Sequence, residues 1–237
     1  MEFRSYASSS AGNVYTVADA ETAILVECGL SHSKLRRLVG VEMDRISACL
    51  VSHPHKDHAK CVREILADGL PVYMSAGTIL ELGLEDACVE PVAHLQQFSV
   101  GSLDIVPFDT YHDAAEPLGF VIRSRVDGDV VVFATDTCNL RYRFPGMNIF
   151  AIEANYDDAI LDRCERMPDK VRHRIRNTHM EIGTLCDILK DMDLSGCREI
   201  WLLHLSDATS HEGHFVNRVA RCVPPGIRIL AAPKGGK

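Results

Sequence analysis

Residues 50–60, LVSHPHKDHAK, constrain this chain more than any other stretch. They set His53, His55, Asp57 and His58 directly behind the apolar run ISACLV. In extended backbone, side chains two apart point the same way, so His53 and His55 aim at one point. Where Asp57 and His58 begin a helix, their side chains diverge toward a second point nearby. One short loop can then hold two metal ions through imidazole nitrogens and a carboxylate oxygen. The competing reading of the same letters is a solvated polar turn after a strand.

The rest of the chain supplies the frame. EFRSYA, NVYTVA and TAILVE read as antiparallel strands, HSKLRRLVG as a helix, and ISACLVS as a buried strand. Residues 59–68 carry Val62, Ile65 and Leu66 at helical spacing. PVYMS then precedes a short helix at 76–83. FSVGSLDIVPF reads as two strands about a Gly-Ser turn, and GFVIRSRVDGDVVVFATD as a hairpin. Its Asp127-Gly128 pair suits a type I′ turn, which needs positive φ at both positions. NIFAIEAN is a strand, 157–193 is mainly helical, and EIWLLHLS, a helix near 211–222 and IRILAA close the chain. Strands then helices, repeated once, predict an α+β fold: two mixed β-sheets packed face to face with helices outside, in one domain over 1–237.

Composition removes other classes. With 237 residues, 46% hydrophobic and 24% charged, the chain can bury a core and is neither disordered nor fibrous. Its opening MEFRSYASSS lacks a basic segment followed by an apolar run, so no secretory leader is expected. No apolar stretch approaches the roughly 18 residues that span a bilayer. Nine cysteines (28, 49, 61, 88, 138, 164, 186, 197, 222) form no C-x-x-C pair. That spacing argues against a disulfide framework and for a reducing compartment, the cytoplasm by default.

H-x-H-x-D-H at a strand–helix junction resembles the signature of the metallo-β-lactamase-fold hydrolases. SYASSSAGNVYTV, TAILVECGL, FDTYHDAAEPLGFVI, VVVFATDT and IWLLHLS are similar, in order, to segments of the YycJ/WalJ-like branch, related to tRNase Z-like phosphodiesterases. The resemblance implies an αββα metallo-β-lactamase sandwich. It also implies that His53, His55 and His112 hold one divalent ion, Asp57, His58 and His204 a second, and Asp136 bridges them. Nitrogen and oxygen donors suit Zn²⁺ or Mn²⁺ alike. For Asp136 a physical argument runs in parallel, because a carboxylate behind four apolar residues is costly unless paired or metal-bound. Lactamases themselves lack the counterpart of His58 and use a cysteine ligand. Glyoxalase-type thioesterases usually follow the motif with a Gly pair, where this chain has Ala59-Lys60.

The expected chemistry is therefore phosphodiester hydrolysis by a water that two ions activate, with Asp57 orienting it. His179 is the candidate acid for the leaving group. The family places a histidine there in a G-H-x-S segment, whereas this chain reads NTHMEIG, and a helix N-terminal His beside a capping Thr178 competes with that role. A net charge of −8 opposes non-specific binding to a polyanion. Local charge runs the other way: Arg163, Arg166, Lys170, Arg172, Arg174 and Arg176 precede His179, and Arg141 and Arg143 follow Asp136, interleaved with Tyr142 and Phe144. Arg141, Arg143, Arg172 and Arg174 are the candidate substrate contacts, with a solvated helix face as the alternative for the long run. The leading expectation is a nuclease or exonuclease acting on single strands or ends of DNA or RNA. A hydrolase of small phosphodiesters such as cyclic nucleotides, or a non-enzymatic binding module, are the alternatives.

Overall fold

The structure is a computed structural model that describes residues 1–84 and 89–235. Cys88 lies outside the described residues, and the other eight cysteines are free thiols.

The chain divides into two compact units, one of 1–109, 114–131 and 233–237 and one of 110–113 and 132–232. The first begins with β1 (Glu2–Ala7), β2 (Val14–Ala18) and β3 (Ala23–Val26), which pair antiparallel in that order. From β3 the pairing becomes parallel through β4 (Ile46–Leu50), β5 (Val72–Met74) and β6 (Val89–Pro91), giving a six-stranded mixed sheet in chain order. Parallel neighbours need crossovers, and helices α1 (His32–Val39), α2 (Lys56–Ala59), α3 (Val62–Ala67) and α4 (Ala76–Leu82) provide them. Leu35 and Val39 from α1 and Val62, Ile65 and Leu66 from α3 bury against Leu25, Cys49, Val51 and Val72. Each such apolar side chain contributes roughly 1.5–3 kcal/mol on burial. All four residues of β3 are buried, as a strand between parallel and antiparallel neighbours requires.

The same unit carries β7 (Phe98–Val100), β8 (Leu103–Asp109) and β9 (Leu118–Ser124), an antiparallel meander. One buried carboxylate ties it to the first sheet. Asp19, in the β2–β3 turn, accepts from the backbone N–H groups of Glu21 and Thr22 and from the hydroxyls of Ser102 and Ser124. Those donors hold its pKa at about 2 despite the opposing cost of burial.

β10 (Val130–Ala134) leads into the second unit, where β11 (Ile149–Glu153), β12 (Glu199–Leu203) and β13 (Arg228–Ala231) pair in parallel. The second sheet has the order β13-β12-β11-β10-β9-β8-β7. Helices α5 (Asp158–Asp162), α6 (Asp169–Thr178) and α7 (Ile182–Lys190) fill the stretch read as helical, and α8 (Glu212–Ala220) the one near the end.

The β9–β10 connection corrects the expected type I′ turn. Gly128 has φ +76°, but Asp127 is absent from the residues with positive φ. The loop instead closes on Ser124, whose Oγ accepts from Val126 and Asp127 N–H and whose N–H donates to the Asp129 carbonyl. A side-chain acceptor at the strand end replaces the two-residue turn. Among the described residues no helix is long and apolar enough to cross a membrane.

Candidate metal centre

In the first unit, the chain leaves β4 and bends at Pro54 and His55, with extended dihedrals at His55 itself, and α2 starts at Lys56. His55 is the N-cap by backbone alone, with no side-chain capping bond. The imidazoles cluster: ring centroids lie 4.8 Å apart for His53–His55 and 4.1 Å for His53–His58. Asp57 Oδ2 is 3.3 Å from His58 Nε2. His53 and His58 are buried, while His55 and Asp57 are partly open.

Neighbouring elements hold this loop tightly. Ser52 Oγ contacts His53 Nδ1 at 2.8 Å, which leaves the opposite ring nitrogen to serve as a donor to a ligand. Asn13 N–H donates to the Asp57 carbonyl at 2.8 Å, and Cys28 N–H to the His58 carbonyl at 2.8 Å. The Asn13 side-chain amide reaches the same Asp57 carbonyl and His58 Nε2, both at 3.1 Å. Backbone approaches so closely at Gly29 that a Cβ there would stand 1.7 Å from the Asp57 carbonyl oxygen. Only glycine fits at that contact.

In the second unit, the donors sit at strand ends. Asp136 follows β10, Glu153 ends β11 and His204 follows β12. The register Glu153↔Leu203 sets His204 one step beyond Glu153's partner, and His204 Nδ1 lies 3.2 Å from Glu153 Oε1 and 3.4 Å from Asp136 Oδ1. Asp136, Glu153, His179 and His204 each offer a ligand atom within 4.8 Å of the others, a grouping able to hold a metal ion. His112 Nε2 is 3.6 Å from Asp136 Oδ2, and its Nδ1 donates to the Thr178 carbonyl at 2.9 Å. That bond fixes the ring with Nε2 turned toward Asp136.

Backbone strain marks both sets. Glu27, Asp136 and His204 are three of the five non-glycine residues with positive φ, at +66°, +42° and +53°. Each stands just past a strand end, where such conformations cost about 1–3 kcal/mol and persist only when the surroundings enforce them.

His179 corrects the helix N-terminal alternative: it is the C-cap of α6, and Thr178 is that helix's last residue. Its Nδ1 donates to Glu153 Oε1 at 2.6 Å. Burial pulls the His179 pKa down, but the charge and hydrogen bond of Glu153 together with the Asp136 charge outweigh it, and the net shift is upward. Burial and the Asp136 charge push Glu153 up, and the charge and hydrogen bond of His179 with the hydrogen bond of His204 together bring it below its ordinary value. Glu153 also accepts from Thr137 and Met180 N–H at 2.7 and 3.1 Å.

Glu153 and Glu27 escaped the sequence reading. Glu27 is fully buried, faces His58 Nδ1 at 3.6 Å and accepts from Ser52 N–H. Both carboxylates end apolar runs, NIFAIE and TAILVE, the same signal that singled out Asp136.

The candidate arginines separate. Arg174 makes a two-pronged pair with Asp113 at 2.7 and 3.1 Å, Arg172 pairs with Asp169, and Arg176 with Asp158 and Asp162. Arg143 lies 3.6 Å from Asp191. Arg141 instead rests on the Tyr111 ring, 4.9 Å from its centroid. Tyr142 and Phe144 pack on each other at 6.4 Å.

Comparison with known proteins adds an independent line. Residues 22–205 match a family model described as a beta-lactamase superfamily domain. Over 226 residues the chain is 27% identical to exodeoxyribonuclease YycJ of Bacillus anthracis, covering 87% of this chain and 83% of that protein. Over 171 residues it is 30% identical to exodeoxyribonuclease WalJ of Streptococcus pneumoniae, covering 65% of this chain and 62% of the relative. The crystal structure of the metallo-beta-lactamase fold protein YhfI from Bacillus subtilis matches with a TM-score of 0.75 at 18% identity, over 99% of this chain and 97% of that one. That likeness bears out the α+β sandwich expected from the sequence.

Proposed function

The chain belongs to the beta-lactamase superfamily and is a metal-dependent hydrolase, and from that premise we propose that it cleaves phosphodiester bonds of DNA or RNA, at single strands or ends, with two divalent ions. The supporting observation is the convergence of buried Asp136 and His204, 3.4 Å apart, with Glu153 and His179 beside them and nitrogen and oxygen donors only, in a chain similar along most of its length to an exodeoxyribonuclease. Carboxylates buried this closely are costly without a compensating cation, so the donors present fit a divalent metal.

In this reading His53, His55 and His112 would hold one ion and Asp57, His58 and His204 the other, with Asp136 available to both. Zn²⁺ and Mn²⁺ both suit such donors, and either would supply Lewis acidity and a nucleophilic water near neutral pH. Asp57 orients the attacking water and takes up its proton. His179 carries a proton for the leaving oxygen on Nε2, because Nδ1–H is committed to Glu153. The upward shift of its pKa favours retention of that proton.

The test is cleavage of a labelled oligonucleotide beside a cyclic mononucleotide, with metal analysis of the same preparations. Asp136→Ala and His58→Ala are expected to lose bound metal and about a thousandfold or more in kcat while keeping the native circular dichroism spectrum. Full activity in either variant overturns the mechanism, and turnover confined to the cyclic mononucleotide overturns the substrate.

A further inference from the structure

We propose that Arg141, seated on the ring of Tyr111, grips the phosphate next to the one being cut and so makes the site selective for polynucleotides over isolated phosphodiesters. This rests on the phosphodiesterase reading above.

The placement comes from backbone pairing. Tyr111 N–H donates to Thr137 Oγ1 at 2.9 Å, and Cys138 N–H donates to the Tyr111 carbonyl at 3.1 Å. Thr137 Oγ1 in turn donates to the Asn139 carbonyl at 2.6 Å. Two strips are thereby locked together, one running from Tyr111 into His112 and the other from Asp136 toward Arg141. The ring that carries Arg141 is one residue from His112, whose Nε2 lies 3.6 Å from Asp136.

Charge separates this cation from the other candidate substrate contacts. Arg143, Arg172, Arg174 and Arg176 each face a carboxylate. Among the described residues Arg141 has no ion-pair partner, and it is exposed. A guanidinium held over an aromatic face keeps its N–H groups in its own plane, pointing outward in the fork that matches two phosphate oxygens. Stacking therefore fixes the group and leaves its donors for an anion. An isolated phosphodiester has one phosphate, which the ions engage. A strand offers a second, and that second phosphate is what Arg141 would read.

The experiment uses short single strands whose linkage beside the scissile phosphate is either a phosphate or a neutral methylphosphonate. The wild-type protein is expected to lose about 10- to 100-fold in kcat/KM on the neutral flank, chiefly through KM, as befits one charge-assisted pair. Arg141→Ala should be indifferent to the flank, with a ratio near one. Arg141→Lys should keep part of the discrimination, Tyr111→Ala should lose most of it, and Tyr111→Phe should keep it. This ratio does not respond to a general loss of activity. Full flank sensitivity in Arg141→Ala overturns the proposal. Wild-type inactivity toward every labelled strand, phosphate-flanked and neutral-flanked alike, would instead overturn the phosphodiesterase reading, and this inference with it.

Discussion

Glu153 gathers the two backbone N–H groups of Thr137 and Met180 and the imidazole of His179 on one carboxylate with no solvent exposure. Its negative charge is what lets His179 hold a proton in spite of burial. Because the folded His179 pKa lies above the usual histidine value, the acid form persists to higher pH and is lost as pH rises through that pKa. Glu153→Gln removes the charge and keeps the shape. The alkaline limb of the kcat profile is then expected to move to lower pH, with kcat falling about 10²–10⁴-fold on substrates whose leaving group is an alkoxide. A p-nitrophenolate leaving group needs no proton and should be largely spared. An unmoved limb would remove Glu153 as the positioning residue of His179. The histidines were legible because their spacing carries geometry, two residues apart on extended chain and then one step onto a helix. Glu153 and Glu27 were not, because a lone carboxylate has no spacing partner, and only its place behind an apolar run marks it.

At the scale of elements, apolar periodicity located nearly every strand and helix, since burial is what the periodicity records. It failed where burial is slight or the side chain makes the turn. β6 is three residues with none buried and went unread, and the β9–β10 loop follows the Ser124 hydroxyl instead of its Asp-Gly pair. Asp19 shows the same point with a stability consequence. Its folded pKa of about 2 lies below the ordinary carboxyl value of 3.8, so folding favours the ionised form. The contribution is complete above about pH 4 and disappears as pH falls through 2. The difference corresponds to about 2 kcal/mol. Unfolding free energies from urea titrations should drop by about that amount between pH 5 and pH 2, and Asp19→Asn should be less stable at pH 5 with a flatter acid limb. Equal acid sensitivity in the variant would show that the tie between the turn and Ser102 and Ser124 does not bear the load.

For the whole molecule, the sequence offered two opposed electrostatic signals, a net charge of −8 and a basic run before His179. Sequence proximity could not decide between them, because the neutralising partners of α6 come from elsewhere: Asp113 for Arg174, Asp158 and Asp162 for Arg176. With those arginines paired to carboxylates, a strand meets fewer free cations than the basic run suggests. Each phosphate neutralised on a single strand contributes about −0.7 to the slope of log affinity against log salt. One or two contacts, Arg141 among them, give a slope of about −0.7 to −1.4, whereas six basic residues acting together would give about −4. Measuring kcat/KM for one single-stranded substrate across a potassium chloride series separates these values. A slope steeper than about −3 would mean that the α6 arginines exchange their carboxylates for phosphates on binding. A shallow slope leaves recognition to the metal donors and a single arginine, as a chain this acidic requires.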